Sequence, residues 1–483
     1  MFLYFGPFLS LSFHCGLTLP EGCAMRRVNV LMAFLIAGYI LGIWNFLILP
    51  KYYMTFGLKG FLISLIPVLI AMFLIYSEAE STRRTRYLIY ELFFKVARTP
   101  AIMFTLLMFL LILLGVTSYF SSWGLIYLFS GDTTFVPLLA VLTIIIAVLL
   151  LLLAKGRVLE FISGISVIFI VFTIISTILI RNRSLSVLTS EQAKYYMHQA
   201  VSGITSFSQP LTFHGVIMLL TSVIVAFGLG AGVYYVIGSF APEGLNFKRV
   251  LIGVFILQVI LSFAAAYSMA YSLGPAFQAF EKSVHSPRIS PEESFKLYTQ
   301  FSALRNYATN STTPLPQSVR VFYFIPEILK GNVPGASAII FLLVLSLYFA
   351  GLTTIIVLLE MGNQMLSEVM QLSREKSLAV VAIIGMILAG LMAISSARTM
   401  FLVVPFSVGP LVALAEAYPL FSSGLTTRRG AVAVVMGALL AVGLGALYYA
   451  FGSGSDPVVM GAVIGLVLFF PLVVNGMLLK SRR

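Results

Sequence analysis

Charge is what this sequence has least of. Only 10% of its 483 residues are Asp, Glu, Lys or Arg, against about 25% in a soluble domain. With 60% hydrophobic residues and a mean hydropathy of +1.03, that scarcity excludes an ordinary soluble enzyme, a disordered chain and a nucleic-acid-binding module. Cysteine is nearly missing as well. Cys15 and Cys23 are too few for a disulfide framework or a thiolate metal site. His14, His198, His214 and His285 sit at no metal-ligand spacing with Cys, Asp or Glu, and read as surface groups. Alternation of apolar and polar residues is lacking too, which excludes a β-barrel.

What the chain does have is unbroken apolar runs of about twenty residues, the length that crosses a bilayer as a helix. They lie at 28–50, 61–77, 101–129, 136–154, 158–180, 216–240, 250–273, 336–359, 377–394, 400–421, 431–451 and 458–479. The fold class this predicts is an all-α polytopic membrane protein with twelve transmembrane helices. The net charge of +13 is then topological. With the N-terminus inside, inner loops and ends hold 18 of the 30 basic residues. Six of the others fall in the long segment 275–335, and long loops are largely exempt from the positive-inside rule. Both termini are expected to be cytoplasmic, in a multi-pass protein of the cell (plasma) membrane. The segments 181–214 and 275–335 are expected outside, each with room for short helices over the outer mouth. Asn310-Ser311-Thr312 in the second fits a glycosylation sequon.

Glycines mark two runs. The first carries Gly38 and Gly42 before Asn45, Phe46 and Pro50; the sixth carries Gly228-Leu229-Gly230-Ala231-Gly232. Each glycine weakens a helix by about 1 kcal/mol relative to alanine, so local unwinding at mid-membrane is expected in both. Unwound backbone at that depth must be covered by protein or line a wet cavity, and its carbonyls become cation ligands. Breaks five runs apart suit two five-helix repeats of opposite orientation with a site between them. Close packing through small residues is the other reading of the same glycines. In the eighth run, Tyr348-Phe349-Ala350-Gly351-Leu352-Thr353-Thr354 adds two hydroxyls beside a close backbone approach. Carbonyls and hydroxyls suit Na⁺ without a buried carboxylate.

These strings, with Glu78 closing the second run, Leu358-Leu359-Glu360 ending the eighth and Leu372-Ser373-Arg374 opening the ninth, resemble the neurotransmitter:sodium symporter family, whose archetype is the bacterial leucine transporter. The likeness runs over most of the chain from Met25 onward. It implies a 5+5 inverted-repeat fold with broken helices 1 and 6, and sodium as the coupling ion. It divides the chain into a first repeat at 25–180, an external loop at 181–215, a second repeat at 216–421 and two further helices at 422–483. The family's complete sodium site falls on Gly38, Leu41, Ala350, Thr353 and Thr354. A second, degraded site retains Asn45, with Ile40 as a carbonyl donor. The other positions fall near Ile224 and Ile260, with Gln258 and Ser262 the nearest polar alternatives. The family's chloride-site residues are not found.

The substrate region implied by the resemblance is Trp44, Phe227, Gly228, Leu229, Thr354 and Leu358, an apolar and aromatic lining. The family's outer-gate arginine and its acidic partner fall on Ile48 and near Phe401, and its third-helix tyrosine falls near Thr117, with Tyr119 a shifted substitute. Glu78 and Glu416 match positions that approach each other, and are expected to share a proton or hydrogen bond. The function implied is a sodium-coupled symporter of a small organic solute, an amino acid or related amine. A proton-coupled or exchange transporter of the same fold is the alternative. No nucleophile–base set or metal cluster points to an enzyme. The expected partners are the solute and the lipid bilayer, with no nucleic acid, and the expected state is a monomer or homodimer.

Residues 1–24 carry Pro7, Gly16 and Pro20 but no basic start, a poor signal peptide. Met25-Arg26-Arg27 resembles a genuine start, so the first 24 residues read as a doubtful extension. The N-terminal mass of the purified protein is expected to begin at Met25; a mass that includes residues 1–24 overturns this.

Overall fold

A backbone crossing lipid has no water to bond to, so it must close its own hydrogen bonds, and a helix does so within one segment. The computed structural model describes residues 21–129, 131–153, 157–242, 244–287, 289–422 and 428–480, and no strand occurs among them. In chain order the main helices are α1 (Glu21–Ile40), α2 (Trp44–Phe56), α3 (Leu58–Thr85), α4 (Pro100–Trp123), α5 (Val136–Leu153), α6 (Val158–Val187), α7 (Glu191–Thr205), α8 (Phe213–Ala226), α9 (Val233–Phe240) and α10 (Phe247–His285). They continue with α11 (Pro291–Thr309), α12 (Leu315–Val321), α13 (Phe324–Asn332), α14 (Ala336–Met370), α15 (Arg374–Leu391), α16 (Ser395–Ser422), α17 (Arg429–Phe451) and α18 (Asp456–Leu479). Of the expected extension 1–24, residues 1–20 lie outside the described residues, and α1 begins at Glu21.

Among the described residues, nine helices are long and apolar enough to cross a membrane, or ten when α1 and α2 count as one span bent by 44°. The chain is an all-α polytopic membrane protein. Two of the twelve apolar runs fall short by that measure. The run 216–240 is divided into α8 and α9, and 377–394 becomes α15, whose first turn holds Arg374, Glu375 and Lys376. Helices also overrun their apolar windows. The helix over 336–359 continues to Met370, where Gln371 takes a left-handed conformation (φ 54°). Hydropathy marks the lipid crossing, whereas a helix ends where its last carbonyls find a cap. Short helices α7, α11, α12 and α13 occupy the two long polar segments.

Burial separates scaffold from centre. The most apolar stretches of α4 and α14 are 83% and 78% buried, while that of α18 is 22% buried and presents its apolar side chains outward. The centre is built by α14, which packs on α4, α6 and α1. Close approach there needs glycine: a Cβ on Gly351 of α14 would lie 1.7 Å from Ser121 Oγ of α4. The pair Arg374–Glu360 (3.0 Å) ties the start of α15 to α14. Gly351→Ala is expected to lower thermal stability in detergent by about 1–3 kcal/mol through overpacking, while Gly437→Ala, with open space at its Cβ, is neutral. Equal melting temperatures for the two variants would contradict this packing.

Candidate functional site

The first interruption follows from Leu41-Gly42-Ile43. The α1 ladder closes with Leu41 N–H donating to Ala37 O (2.7 Å), and the helix resumes at Trp44. Asn45 bridges the gap, its Nδ2 donating to Ile40 O. Gly38 and Gly42 bring this break against its neighbours. A Cβ at Gly42 would stand 2.3 Å from Thr354 Oγ1, and one at Gly38 would stand 2.4 Å from Ser166 Oγ and 3.4 Å from Thr353 Cβ. Thr353 Oγ1 stands 2.9 Å from Gly38 O and 3.0 Å from Ala350 O, two acceptors for its single proton, and Thr354 Oγ1 donates to Ala350 O (3.1 Å).

Gly38, Ala350, Thr353 and Thr354 are thus brought together from α1 and α14, with Leu41 fully buried in the break beside Gly42. The donors are neutral hard oxygens, a set that suits a monovalent cation and offers thiolate-seeking metals nothing. Ser166 of α6, against Gly38, was not foreseen from sequence; one serine among several hydroxyl residues of an apolar run carries no signal of its own.

Of the second expected set, Asn45 and Ile40 are brought together, Asn45 Nδ2 donating to Ile40 O, while the other positions do not reach them. Asn45 is fully buried and its Oδ1 has no hydrogen-bond partner among the described residues. Ile224 is buried without a side-chain oxygen, and Ile260 is 46% exposed on the outside of α10. Gln258 and Ser262 face inward and bond each other (3.2 Å), but no hydrogen bond joins them to Asn45.

The second interruption spans 227–232. Gly228, Gly230 and Gly232 have φ of 65°, 93° and 70°, a left-handed region that side chains other than hydrogen rarely enter. The freed backbone groups are taken by side chains. Gly230 N–H donates to Glu416 Oε2, and Gly232 N–H to Glu416 Oε1 (2.7 Å). Tyr39 OH donates to Gly228 O (3.0 Å), Tyr234 OH to Phe227 O, and Tyr235 OH to Glu416 O (2.9 Å). Glu78 is fully buried. The expected hydrogen bond between it and Glu416 is not formed: neither Glu78 oxygen has a partner among the described residues. Both Glu416 oxygens are turned instead to the glycine N–H groups, which are the stronger claim on them because unpaired amides in lipid have no other acceptor.

Between the two breaks lies a narrow cavity. Trp44, Gly228, Thr354 and Leu358 line it, as anticipated; Tyr39, Leu113, Thr117, Val225 and Ala226 complete the wall, and Phe227 and Leu229 are not part of it. It leaves about 10 Å³ for the centre of a water-sized sphere, about enough for one water. Trp44 closes one side, edge-on to Phe120 (6.1 Å) and Phe406 (5.7 Å). Beyond it, Arg398 Nη1 donates to Tyr119 OH (2.7 Å) and lies over the rings of Tyr119 (5.7 Å) and Trp123 (5.4 Å). Ile48 and Phe401 carry no charge to form a gate; the ring contacts run instead from Trp44 through Phe120 and Tyr119 to Trp123, where Arg398 lies.

No protein-family model matches this chain, and no curated protein matches it.

Glu416→Gln would aim an amide N–H₂ at one of two glycine N–H donors. It is expected to destabilise the purified protein by about 1–3 kcal/mol, whereas Glu78→Gln, which removes no hydrogen bond, should leave thermal unfolding unchanged. Indistinguishable unfolding curves for the two variants would mean that Glu416 does not hold the interrupted segment.

Proposed function

We propose that this chain is a sodium-coupled secondary transporter, a symporter that carries a small organic solute, an amino acid or related amine, into the cell by alternating access. On this reading it is similar to the neurotransmitter:sodium symporters. The bent α1–α2, the interrupted α8–α9 and the helix α15 bring the number of crossings to twelve, arranged as two inverted five-helix repeats followed by two more helices. Both termini face the cytoplasm and the protein sits in the plasma membrane. The observation that carries the proposal is the Thr353 hydroxyl spanning the Gly38 and Ala350 carbonyls (2.9 and 3.0 Å) at the point where α1 breaks.

Sodium is cargo in this scheme. It would be held by the carbonyls of Gly38, Leu41 and Ala350 and the hydroxyls of Thr353 and Thr354, which turn their lone pairs toward it. Binding there joins α1 to α14 and favours the conformation in which that junction is tight, since a ligand shifts an equilibrium only by its differential affinity. A solute cannot enter a cavity with room for one water, so α2, α4 and α16, which carry Trp44, Phe120 and Phe406, must part on the outer side before it is taken. Release of sodium on the inner side loosens α1 and completes the cycle.

A second reading has an observation of its own. Glu78, buried with no hydrogen-bond partner among the described residues, is a natural proton site, and a proton-coupled or exchange transporter of the same fold would use it. The two readings separate without knowledge of the solute. Replacing K⁺ by Na⁺ at constant ionic strength is expected to raise the melting temperature of the purified protein by mass action, and Thr353→Val with Thr354→Val should weaken sodium binding at least about tenfold, the effect of about 1.4 kcal/mol. A melting temperature indifferent to sodium but responsive to pH in native protein and lost in Glu78→Gln would favour the proton.

A further inference from the structure

Two stretches of this chain have the form Asn-X-Ser/Thr that marks an acceptor for an N-linked glycan: Asn182-Arg183-Ser184 and Asn310-Ser311-Thr312. Neither enters the transport scheme, and by residue type the two are equal. The fold separates them. Asn182 lies inside α6, which runs on to Val187, and Ser184 is fully buried in that helix with its Oγ unpartnered among the described residues. Residues two apart on a helix do not face each other, so the Ser184 hydroxyl does not serve the Asn182 carboxamide.

Asn310 is placed otherwise. It follows the last residue of α11, where its N–H donates to Asn306 O (2.8 Å), and its own backbone is already extended (φ −112°, ψ 108°). Asn310 and Thr312 are exposed, while Ser311 between them is buried, its Oγ 2.6 Å from Thr212 Oγ1 in the other long polar segment. The tripeptide is thus pinned at its middle and open at both ends. Thr312 N–H donates to Asn310 Oδ1 (2.9 Å), and the Thr312 hydroxyl donates to the same oxygen (2.7 Å). An asparagine oxygen bonded to the backbone two residues on is an Asx turn, and the hydroxyl doubles it. With the oxygen held, the nitrogen is the group left over: Asn310 Nδ2 has no hydrogen-bond partner among the described residues.

We propose that Asn310 is the N-glycan acceptor of this chain, and that Asn182 is not one. The donor is an oligosaccharide carried on a polyprenyl phosphate and transferred by a membrane oligosaccharyltransferase. Nδ2 bonds the anomeric carbon and gives up a proton to a base of the transferase; the bond from that carbon to the lipid's phosphate oxygen breaks, and the lipid phosphate leaves with the electron pair. Nothing is oxidised or reduced. The proposal rests on the orientation in the transporter reading, which puts 275–335 on the outer side of the membrane, where such donors are presented.

The test expresses the full chain in a eukaryotic secretory host and weighs its peptides before and after digestion with peptide-N-glycosidase. The Asn310 peptide is expected to carry hexosamine in most copies and to return with aspartate after release, and the Asn182 peptide to be bare. The gel shift should be lost in Asn310→Gln and in Thr312→Val, which keeps the asparagine and removes the hydroxyl, and kept in Asn182→Gln. A bare Asn310, or as much glycan on Asn182 as on Asn310, overturns the proposal. Ser206→Asn shows which premise failed: it sets an asparagine two residues before Ser208 in an extended stretch of the other outer segment. Glycan there with a bare Asn310 sinks the acceptor and leaves the orientation standing; glycan at neither position sinks the acceptor and the outward orientation together.

Discussion

In a medium without water, every backbone group released from a helix needs another partner, and the interrupted α8–α9 exists because Glu416 supplies one. Its two oxygens accept from Gly230 and Gly232, its own carbonyl accepts from Tyr235, and two tyrosines hold the carbonyls of Phe227 and Gly228. A carboxylate is suited to this work because it offers acceptors on two sides and donates nothing when ionised. The rest of the centre is arranged around that anchorage. Once α8 stops at Ala226, the chain can fold around the cavity, α9 can pack on α3, and α1 can approach α14 without a continuous helix in the way.

The α1 break is satisfied differently. There the donors are hydroxyls of a neighbouring unbroken helix and the side chain of Asn45, all uncharged. Neutral oxygens bond an amide or a hydroxyl proton moderately and can exchange it for a small cation with little electrostatic penalty. A charged anchor at one break and a neutral, exchangeable one at the other give the two interruptions different characters, one fixed and one able to change partners.

Much of this was legible in the sequence. The string Ala350-Gly351-Leu352-Thr353-Thr354 meets the first helix at Gly38, a meeting that the resemblance implied and that the residue types alone did not require, since a threonine in an apolar helix can bond its own backbone. The helical order and the two weak points followed from hydropathy and glycine content. The cavity wall was less legible. Phe227 and Leu229 were expected in it on the footing of their sequence position, but once the helical period is lost at 227–232 neighbouring residues no longer share a face by rule, and only Gly228 lines it. Ser166 and Arg398 escaped because polar residues in or beside apolar runs look like tolerated exceptions; their meaning depends on which distant helix they meet. Membership of a run says that Ile260 is apolar, and only packing says that it faces outward while Gln258 and Ser262 face in.

Tyr39 closes the circle between the two weak points. Its hydroxyl, from the end of α1, holds the Gly228 carbonyl, and its ring occupies the space a Cβ at residue 228 would need, 2.4 Å away. Straightening the 227–232 stretch would withdraw that carbonyl and push the ring aside. The second discontinuity is therefore seated on the first helix, and a displacement of α1 is passed to it through that one hydroxyl.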